Sequence, residues 1–311
     1  MKPKVYIDGK EGTTGLQIYD RLAARSDIEL LLIDEDKRKD PTERKRLMDA
    51  ADIVFLCLPD AAAIEAVSLI ESPTTRVIDA STAHRTNPEW DYGFPELSGK
   101  HREAIKVSKR VANPGCHATG FISVVYPLVA MGILSKDTAL SSFSLTGYSG
   151  GGKKMIAQYE GEEKTAEMGS PCPYGMGQSH KHLPEMQKIC GLTFKPVFTP
   201  IVDDYYKGMA TTVPFHMSQL TGVSTLHEVW QKLTEYYAGQ KMVSVAETTD
   251  TAKVYANAKA GQDTLQLIVA GNDEQFTITA LFDNLGKGAS GAAVQNMNIM
   301  LGLDETTGLT L

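Results

Sequence analysis

Short apolar runs alternate with amphipathic stretches in the first part of the chain. Strands are predicted at residues 5–7, 28–33, 53–58 and 77–79. The second run predicts a buried strand that ends at Asp34, and a later strand is predicted near Val107. Helical spacing of apolar residues occurs at 16–23, 41–50 and 61–70. Strands that alternate with helices predict an α/β fold with a doubly wound parallel sheet.

The pattern changes near residue 139. Ser141, Phe143 and Leu145 alternate with other residues, which predicts a half-buried strand. Further strands are predicted at 195–199, 208–215, 243–247, 265–270 and 276–282, with a hairpin between the last two. A helical apolar stripe at 226–237 is expected to lie in the core. This part therefore predicts an α+β unit with a mostly antiparallel sheet.

A chain of 311 residues is long for a single core. We expect one domain at residues 1–115, completed by a C-terminal helix within 285–311. Residues 116–284 are expected to form the second domain.

A glycine-rich loop follows the first predicted strand. Its glycines and threonines are Gly9, Gly12, Thr13, Thr14 and Gly15. A strand, a glycine loop and a helix in this order let backbone N–H groups hold a pyrophosphate, as in Rossmann-like folds, although a plain glycine turn has the same pattern. Asp34 suits the ribose hydroxyls of NAD, whereas Lys37 to Lys39 suit the 2′-phosphate of NADP, so the residues leave this choice open.

Two further positions fall where ligands bind in such sheets, at the carboxyl ends of strands. Ser81 follows the strand at 77–79. Cys116 follows Asn113-Pro114-Gly115, and the apolar spacing after it predicts a helix. A thiol at a helix N-terminus has a lowered pKa and is a better nucleophile. The alternative is that Cys116 is a small buried residue without chemistry.

His180 and His182 would share one face of an extended segment, close to Glu185. Histidine is the side chain best suited to proton transfer near neutral pH. Structural, hydrogen-bonded histidines are the alternative, and no further cluster of closely spaced ligands supports a metal site. Upstream, Ser149 and Gly150 belong to a glycine loop that ends in two lysines. Such a loop suits an anionic substrate, or serves as a linker.

The composition excludes several classes of protein. The net charge is −7, with both signs interspersed, which argues against nucleic-acid and anionic-membrane partners. No apolar run has the length of a membrane helix, and the N-terminal residues do not resemble a secretion signal. The four cysteines show neither disulfide density nor metal-site spacing, so a cytoplasmic protein with reduced thiols is expected.

A dinucleotide loop, a helix-tip cysteine and a histidine pair together suit the reduction of an activated acyl group. The thiolate attacks the carbonyl, the leaving group departs, and a hydride reduces the thioester to an aldehyde. A cysteine–histidine hydrolase would not need the loop at Gly9–Gly15. A dinucleotide-binding sensor would not need a reactive thiol.

The chain resembles the N-acetyl-gamma-glutamyl-phosphate reductases, in particular their short form, within the wider group of aspartate-semialdehyde dehydrogenases. The most specific shared motifs are Asn-Pro-Gly-Cys at 113–116 and His-x-His-x-Pro-Glu at 180–185. The loops at 9–15, 149–154 and 284–291 extend the resemblance over nearly the whole chain. His117 stands where tyrosine is frequent in the family, and Lys207 lies in a segment where the long form has arginine.

The resemblance implies NADPH-dependent reduction of N-acetyl-glutamyl 5-phosphate to N-acetyl-glutamate 5-semialdehyde, a step of arginine biosynthesis, with aspartate-semialdehyde dehydrogenase as the alternative. By it, Cys116 forms the thioester, one of His180 and His182 transfers the proton, and Glu185 orients them. It also implies that the first domain binds the dinucleotide and that the second holds the substrate and mediates dimerisation. The sheet predicted for the second domain favours a homodimer or homotetramer. The implied substrate contacts are Asn113, Ser149, Gly150, Glu185 and Lys207. The implied cofactor contacts are Gly9, Gly12, Thr13, Thr14, Gly15, Ser81, Asn284, Gly286 and Lys287.

Overall fold

The computed structural model describes residues 2–10, 12–250 and 252–311. The chain divides into two compact units. The first consists of Met1–Pro114 and Ala289–Leu309, and the second of Gly115–Gly288 and Thr310–Leu311. Among the helices of the described residues, none has the length and apolar character that crossing a membrane requires.

The first unit is built on a parallel sheet with the strand order β2-β1-β3-β4-β6-β5. The strands are β1 (Lys4–Asp8), β2 (Glu29–Leu31), β3 (Ile53–Leu56), β4 (Arg76–Asp79), β5 (Asp91–Tyr92) and β6 (Arg110–Ala112). The helices are α1 (Thr13–Ala23), α2 (Pro41–Ala50), α3 (Asp60–Leu69), α4 (Gly99–Val107) and the C-terminal helix Gly291–Leu301. The sheet is parallel throughout, as predicted.

Helices cover this sheet on both faces, which confirms the doubly wound arrangement. Alternate residues of β1 point to opposite sides, so Val5 and Ile7 join one apolar cluster and Tyr6 joins another. The first cluster contains side chains of α1 and of the C-terminal helix, and the second contains side chains of α2 and α3. Burial of both faces explains why the sequences of these strands are continuous apolar runs.

Two expectations for the first unit are wrong. The run at 28–33 forms only the short strand β2, whose residues are exposed or half-buried because β2 lies at the edge of the sheet. No strand lies at Val107, which ends α4 with its side chain 78% exposed. The helical turn of α4 buries Ile105 instead, and the strand that precedes Cys116 is β6.

The second unit is built on a mixed sheet with the order β11-β12-β13-β10-β7-β9-β8. The strands are β7 (Ser141–Gly147), β8 (Cys172–Pro173), β9 (Val197–Asp203), β10 (Met209–His216), β11 (Val243–Val245), β12 (Leu265–Gly271) and β13 (Gln275–Phe282). The helices are α5 (Cys116–Ala130), α6 (Gly152–Glu160), α7 (Leu183–Cys190) and α8 (Leu226–Tyr236). Most strand pairs are antiparallel, and β12 and β13 form the predicted hairpin.

The alternation along β7 confirms a half-buried strand, and its buried side carries hydroxyl groups. The residues that face inward are Ser142, Ser144 and Thr146, whereas Phe143 is 39% exposed. Hydroxyl groups are tolerated inside because they are hydrogen-bonded, as where the Ser142 hydroxyl donates to the Thr212 carbonyl at 3.0 Å. The apolar side chains of β7 therefore lie on the outer face of the sheet.

Candidate active site

Cys116 is the first residue of α5, which confirms the predicted helix start. Gly115 caps the helix, and its carbonyl accepts a hydrogen bond from the Thr119 N–H at 2.7 Å. The thiol is half-buried and lies at the positive end of a helix whose buried residues anchor it in the second unit. A Cβ atom placed on Gly288 would be 3.1 Å from the Cys116 Cβ, so Gly288 packs directly against the cysteine.

A buried carboxylate holds the backbone just before Cys116. Glu185 lies in the first turn of α7 and is 1% exposed. Its Oε1 accepts a hydrogen bond from the Gly115 N–H at 2.9 Å. The N-termini of α5 and α7 are thereby tied together through one side chain.

The histidine pair lies in a turn, so the expectation of a shared strand face is wrong. His182 caps α7 with helical backbone angles, and the proline in the first turn of α7 favours a helix start at this point. The two rings nevertheless meet, with centroids 4.8 Å apart. The His182 N–H donates to the His180 Nδ1 at 3.2 Å, which leaves the proton of the neutral His180 ring on Nε2.

The two histidines differ in exposure. His182 is buried at 4% exposure, whereas His180 is half-buried. Burial lowers the pKa of His180, and the charge of Lys181 lowers it further. His180 is therefore neutral at pH 7, the form that can accept a proton.

Sequence reasoning missed His117 as a member of this cluster. Its ring is buried and lies 5.5 Å from that of His180 and 5.7 Å from that of His182, between centroids. Its Nδ1 is 2.8 Å from the Ser144 hydroxyl, and its Nε2 is 2.8 Å from the Tyr174 hydroxyl. Its position in the first turn of α5, directly after the cysteine, was the available signal.

The electrostatics of the cluster favour neutral side chains. Burial lowers the pKa of His117 to about 3, with further contributions from His180 and Lys181. Burial also raises the pKa of Tyr174, and the charge of Cys116 raises it further. Among the described residues, no group of His, Cys, Asp and Glu side chains has a geometry that could hold a metal ion.

The second glycine loop forms a short helical turn that continues into α6. Ser149 is buried within this turn, and Gly150 beside it is exposed. The Asn284 side chain donates to the Ser149 hydroxyl at 3.0 Å and accepts from the Gly208 N–H at 2.8 Å. Asn284 therefore joins the loop to the segment that carries Lys207.

Asp283 organises the turn that follows β13. Its carboxylate accepts hydrogen bonds from the N–H groups of Leu285 at 2.8 Å and Gly261 at 2.6 Å. Lys207, which is partly exposed, lies 3.6 Å from the same carboxylate. Further along the turn, a Cβ on Gly286 would be 2.4 Å from the Gln262 carbonyl oxygen, and Lys287 is buried.

The glycine loop of the first unit has a tight backbone. Gly9 has a φ of +84°, and a Cβ there would be 2.4 Å from the Cys57 carbonyl oxygen. A Cβ on Gly15 would be 2.4 Å from the Gly9 carbonyl oxygen. Gly12 caps α1, and Thr13 and Thr14 open it. Residue 11 of this loop lies outside the described residues.

A cavity of about 570 Å³ opens beside this loop in the first unit. Its basic lining residues are Lys10, Arg38, Lys39 and Arg44. Arg44 forms a buried ion pair with Asp8 at 2.8 Å, and Asp34 pairs with Lys37 at 3.4 Å on the surface. The cavity has the size of a small-molecule site.

Ser81 and Asn113 belong to a buried polar network at the ends of β4 and β6. The Ser81 hydroxyl donates to Asp79 at 2.7 Å. The Asn113 carbonyl accepts from Arg85 Nε at 2.9 Å, and the Asn113 side chain donates to the Ala289 carbonyl at 3.0 Å. The backbone that leads toward Cys116 is therefore held from both sides.

These features support nucleophilic chemistry at sulfur. A thiolate is stabilised at a helix N-terminus, and the neutral imidazole of His180 can accept and return a proton. A glycine loop with a close backbone and an adjacent cavity fits a dinucleotide, because a side chain at Gly9 would fill the cradle.

Comparisons with known proteins agree with both units. Residues 33–107 match the family model of the semialdehyde dehydrogenase NAD binding domain. Residues 116–284 match that of the semialdehyde dehydrogenase dimerisation domain. The first unit therefore carries a domain of an NAD-binding type, and the second a domain of a dimerising type.

Curated relatives match over almost the full length. N-acetyl-gamma-glutamyl-phosphate reductase 2 of Nostoc sp. is 46% identical, over 99% of this chain and 99% of its own. N-acetyl-gamma-glutamyl-phosphate reductase of Brucella ovis is 48% identical, over 97% of this chain and 100% of its own.

Solved structures share the fold at low identity. Aspartate semialdehyde dehydrogenase II from Vibrio cholerae has a TM-score of 0.75 at 16% identity, over 97% of this chain and 99% of that one. The aspartate semialdehyde dehydrogenase with NADP from Candida albicans has a TM-score of 0.66 at 16% identity, with the same coverage of 97% and 99%.

Proposed function

Because this chain belongs to the semialdehyde dehydrogenase family, among its N-acetyl-gamma-glutamyl-phosphate reductases, we propose that it reduces N-acetyl-glutamyl 5-phosphate with NADPH. The products are N-acetyl-glutamate 5-semialdehyde, NADP⁺ and phosphate, and the reaction serves arginine biosynthesis. The observation that carries this proposal is the place of Cys116 at the start of α5. It follows Gly115, whose N–H binds Glu185, and precedes His117, whose ring meets those of His180 and His182.

The thiolate of Cys116 attacks the acyl carbonyl, forming a C–S bond as the C–O bond to phosphate breaks. The dinucleotide, when bound, supplies the hydride that reduces the thioester carbon. Collapse of the resulting hemithioacetal breaks the C–S bond, releases the aldehyde and returns Cys116. The N-terminal N–H groups of α5 stabilise the sulfur anion at the start and the end of the cycle.

His180 is the proton-transfer residue of this proposal. Its ring is half-buried and neutral at pH 7, so it can take the thiol proton and later protonate an oxygen. His182 is buried at the start of α7, where it can make a fixed contact to the substrate. Glu185 holds the starts of α5 and α7 together, because it binds the Gly115 N–H from the first turn of α7.

The remaining substrate contacts are proposed in the second glycine loop and near β10, with Asn113 as a further one. Ser149 and Gly150 supply a hydroxyl and an exposed backbone for the phosphate. Lys207 is proposed to bind the α-carboxylate, and its partial exposure beside Asp283 allows it to do so.

NADP is the proposed cofactor. Gly9, Gly12, Thr13, Thr14 and Gly15 would hold the pyrophosphate with backbone N–H groups. Arg38 and Lys39 line the adjacent cavity and would hold the 2′-phosphate. The nicotinamide half is assigned to Ser81, Asn284, Gly286 and Lys287, which stay predictions.

We further propose that the protein is a homodimer or homotetramer through the outer face of β7 and β9. Phe143 is 39% exposed and Val197 is 61% exposed on neighbouring parallel strands. Leu145 and Ile201 are half-buried on the same face. The match to a dimerisation domain favours a second copy of this protein as the partner that covers this apolar face. Phe143→Glu should therefore shift the sedimentation coefficient toward the monomer value, whereas an unchanged value would place the interface elsewhere.

The activity is tested in the reverse direction, as phosphate-dependent reduction of NADP⁺ with N-acetyl-glutamate 5-semialdehyde. Cys116→Ser should lower kcat by on the order of 10³-fold or more, because a serine hydroxyl stays protonated near neutral pH and is a poor nucleophile. Cys190→Ser is the matched control, since Cys190 is buried and burial raises its pKa.

Two outcomes would contradict the proposal. A Cys116→Ser variant with most of the wild-type rate would remove the thioester step. Preference for aspartate semialdehyde over the N-acetylated substrate would assign a different substrate, because a pocket built for an acetamido group should handle the shorter free amine poorly.

A further inference from the structure

Four side chains of the second unit form an unbroken chain of hydrogen bonds that passes through His117, the residue directly after Cys116. The Tyr174 hydroxyl lies 2.8 Å from His117 Nε2, and His117 Nδ1 lies 2.8 Å from the Ser144 hydroxyl. The Ser144 hydroxyl lies 2.8 Å from that of Thr211, in the middle of the sheet. The inward, polar face of β7 thus has a use that its sequence pattern did not reveal.

Burial dictates how protons are arranged along this chain. His117, Ser144 and Thr211 are at most 2% exposed, so charged forms are strongly disfavoured there. The pKa of His117, about 3, keeps its ring neutral at working pH, with one donor and one acceptor nitrogen. A ring with one donor and one acceptor orders its neighbours: if Nε2–H donates to the Tyr174 oxygen, then Ser144 must donate to Nδ1 and Thr211 to Ser144.

In that arrangement the hydrogen of the Tyr174 hydroxyl points away from His117. Burial raises the pKa of this hydroxyl, and the charge of the Cys116 thiolate raises the pKa further. Tyr174 therefore stays protonated at working pH. Because the Tyr174 oxygen already accepts a hydrogen bond from His117, its own hydrogen is free to be donated to an acceptor near the sulfur.

We propose that His117 is a positioning residue that, with Ser144 and Thr211 behind it, orients the Tyr174 hydroxyl as a hydrogen-bond donor to the oxygen of the acyl group on Cys116. The proposal rests on the proposed function, since it needs an acyl carbonyl at this sulfur. His117 itself neither takes nor gives a proton in the reaction. It decides the direction in which Tyr174 donates.

The test is a double-mutant cycle in the reductase assay. Tyr174→Phe removes the hydroxyl, and His117→Phe removes the group that orients it. Each single variant should lower kcat by on the order of 10- to 100-fold with a smaller change in KM, since the donor acts mainly on developing charge. The double variant should be no slower than the slower single variant, because both changes interrupt the same interaction.

Ser142→Ala is the matched control for the role of Ser144 in the hydrogen-bond chain. Ser142 lies on the same strand and the same inward face, but its hydroxyl donates to the Thr212 carbonyl instead. Ser144→Ala should lower kcat toward the value of His117→Phe, whereas Ser142→Ala should leave kcat unchanged. If His117→Phe does not fold, His117→Asn, which keeps a donor and an acceptor near Ser144 but does not reach Tyr174, replaces it.

Three results would overturn the proposal. The first is a Tyr174→Phe variant with wild-type kcat, and the second is a double variant whose loss is the product of the single losses. The third comes from NMR of ¹⁵N-labelled histidine, where His117 should show the neutral tautomer with its proton on Nε2 over roughly pH 5 to 8, and a proton on Nδ1 contradicts the proposal. A His117 ring that titrates in this range contradicts the ordered chain. A wild-type protein that fails to reduce the substrate but keeps this single tautomer would instead refute the proposed function alone.

Discussion

The carboxylate of Glu185 accepts a hydrogen bond from the N–H of Gly115, and the two atoms are 2.9 Å apart. Gly115 caps the helix that begins with Cys116, so a side chain of α7 holds the residue at which that helix starts. Glu185 is 1% exposed, so loss of this hydrogen bond would leave a buried polar group unsatisfied and lower the stability of the fold. The motif at 180–185 is thus tied directly to the residue before Cys116.

Removal of the Glu185 carboxylate should therefore affect both stability and rate. Glu185→Ala leaves the Gly115 N–H without this acceptor and is expected to lower the free energy of unfolding by about 1–3 kcal/mol. Glu185→Gln retains an oxygen acceptor and should keep most of that stability while still lowering kcat. Urea unfolding and steady-state kinetics measure the two effects. The exposed Glu162 supplies the control Glu162→Gln, and equal stability of the Ala and wild-type proteins would contradict the assigned bond.

The buried His117 should make the protein less stable in acid. Its folded-state pKa of about 3 lies below the ordinary value of 6.5, so below pH 6.5 the unfolded chain binds a proton that the folded chain does not. Stability is therefore lost as the pH falls from 6.5 toward 3. Each pH unit in this window costs about 1.4 kcal/mol.

His117→Asn should abolish this contribution. The stability difference between wild type and variant should shrink by about 2 kcal/mol on going from pH 7 to pH 5, as measured by urea unfolding at both values. His227→Asn, at an exposed position of α8, is the control. A difference that does not change with pH would mean that His117 is protonated in the folded state.

A side chain at Gly288 should disturb the cysteine without unfolding the protein. The Cβ of Gly288→Ala would lie 3.1 Å from the Cys116 Cβ and 3.2 Å from the Asp283 carbonyl oxygen, so these atoms must shift by a few tenths of an ångström. We expect kcat to fall about tenfold or more, since small misplacement of reacting groups is costly. In Gly99→Ala the new Cβ meets nothing within 4 Å, which makes it the matched control. Equal kinetics in both variants would show that the 286–290 turn tolerates a side chain beside the thiol.

Cofactor selectivity should depend on the basic residues that line the cavity of the first unit. Arg38→Ala or Lys39→Ala should raise the Kd of NADPH about tenfold, equivalent to ~1.4 kcal/mol, with little effect on NADH, because only NADPH carries the 2′-phosphate. Lys106→Ala is the control, since Lys106 pairs with Glu103 on the surface and does not line the cavity. Calorimetry measures the affinities, and parallel losses for both nucleotides would exclude a phosphate contact at these side chains.

The sequence alone determined the architecture where local chemistry is decisive. The apolar runs of β1, β3 and β4 predict a parallel sheet because strands buried on both faces have no polar side to display. The turn at 271–274 predicts the β12–β13 hairpin, and the spacing after Cys116 predicts α5. In each case the signal lies within a few residues of the feature.

Tertiary structure decided which faces are buried. Alternation along β7 shows that Phe143 and Leu145 share a side, but the partners that cover the other side, α5 and His117, come from elsewhere in the chain. The same reason explains β2, which is less buried than its composition predicts because no strand pairs with its outer edge within the described sheet.

The site also depends on contacts that no local pattern specifies. Glu185 meets Gly115 across 70 positions of the sequence, and His117 meets Tyr174 across 57. Sequence motifs identified the reactive cysteine and the histidine pair, because these residue types carry recognisable chemistry wherever they fold. The partners that orient them were decided only when the chain folded, since a hydrogen bond depends on distance in space and not on distance along the sequence.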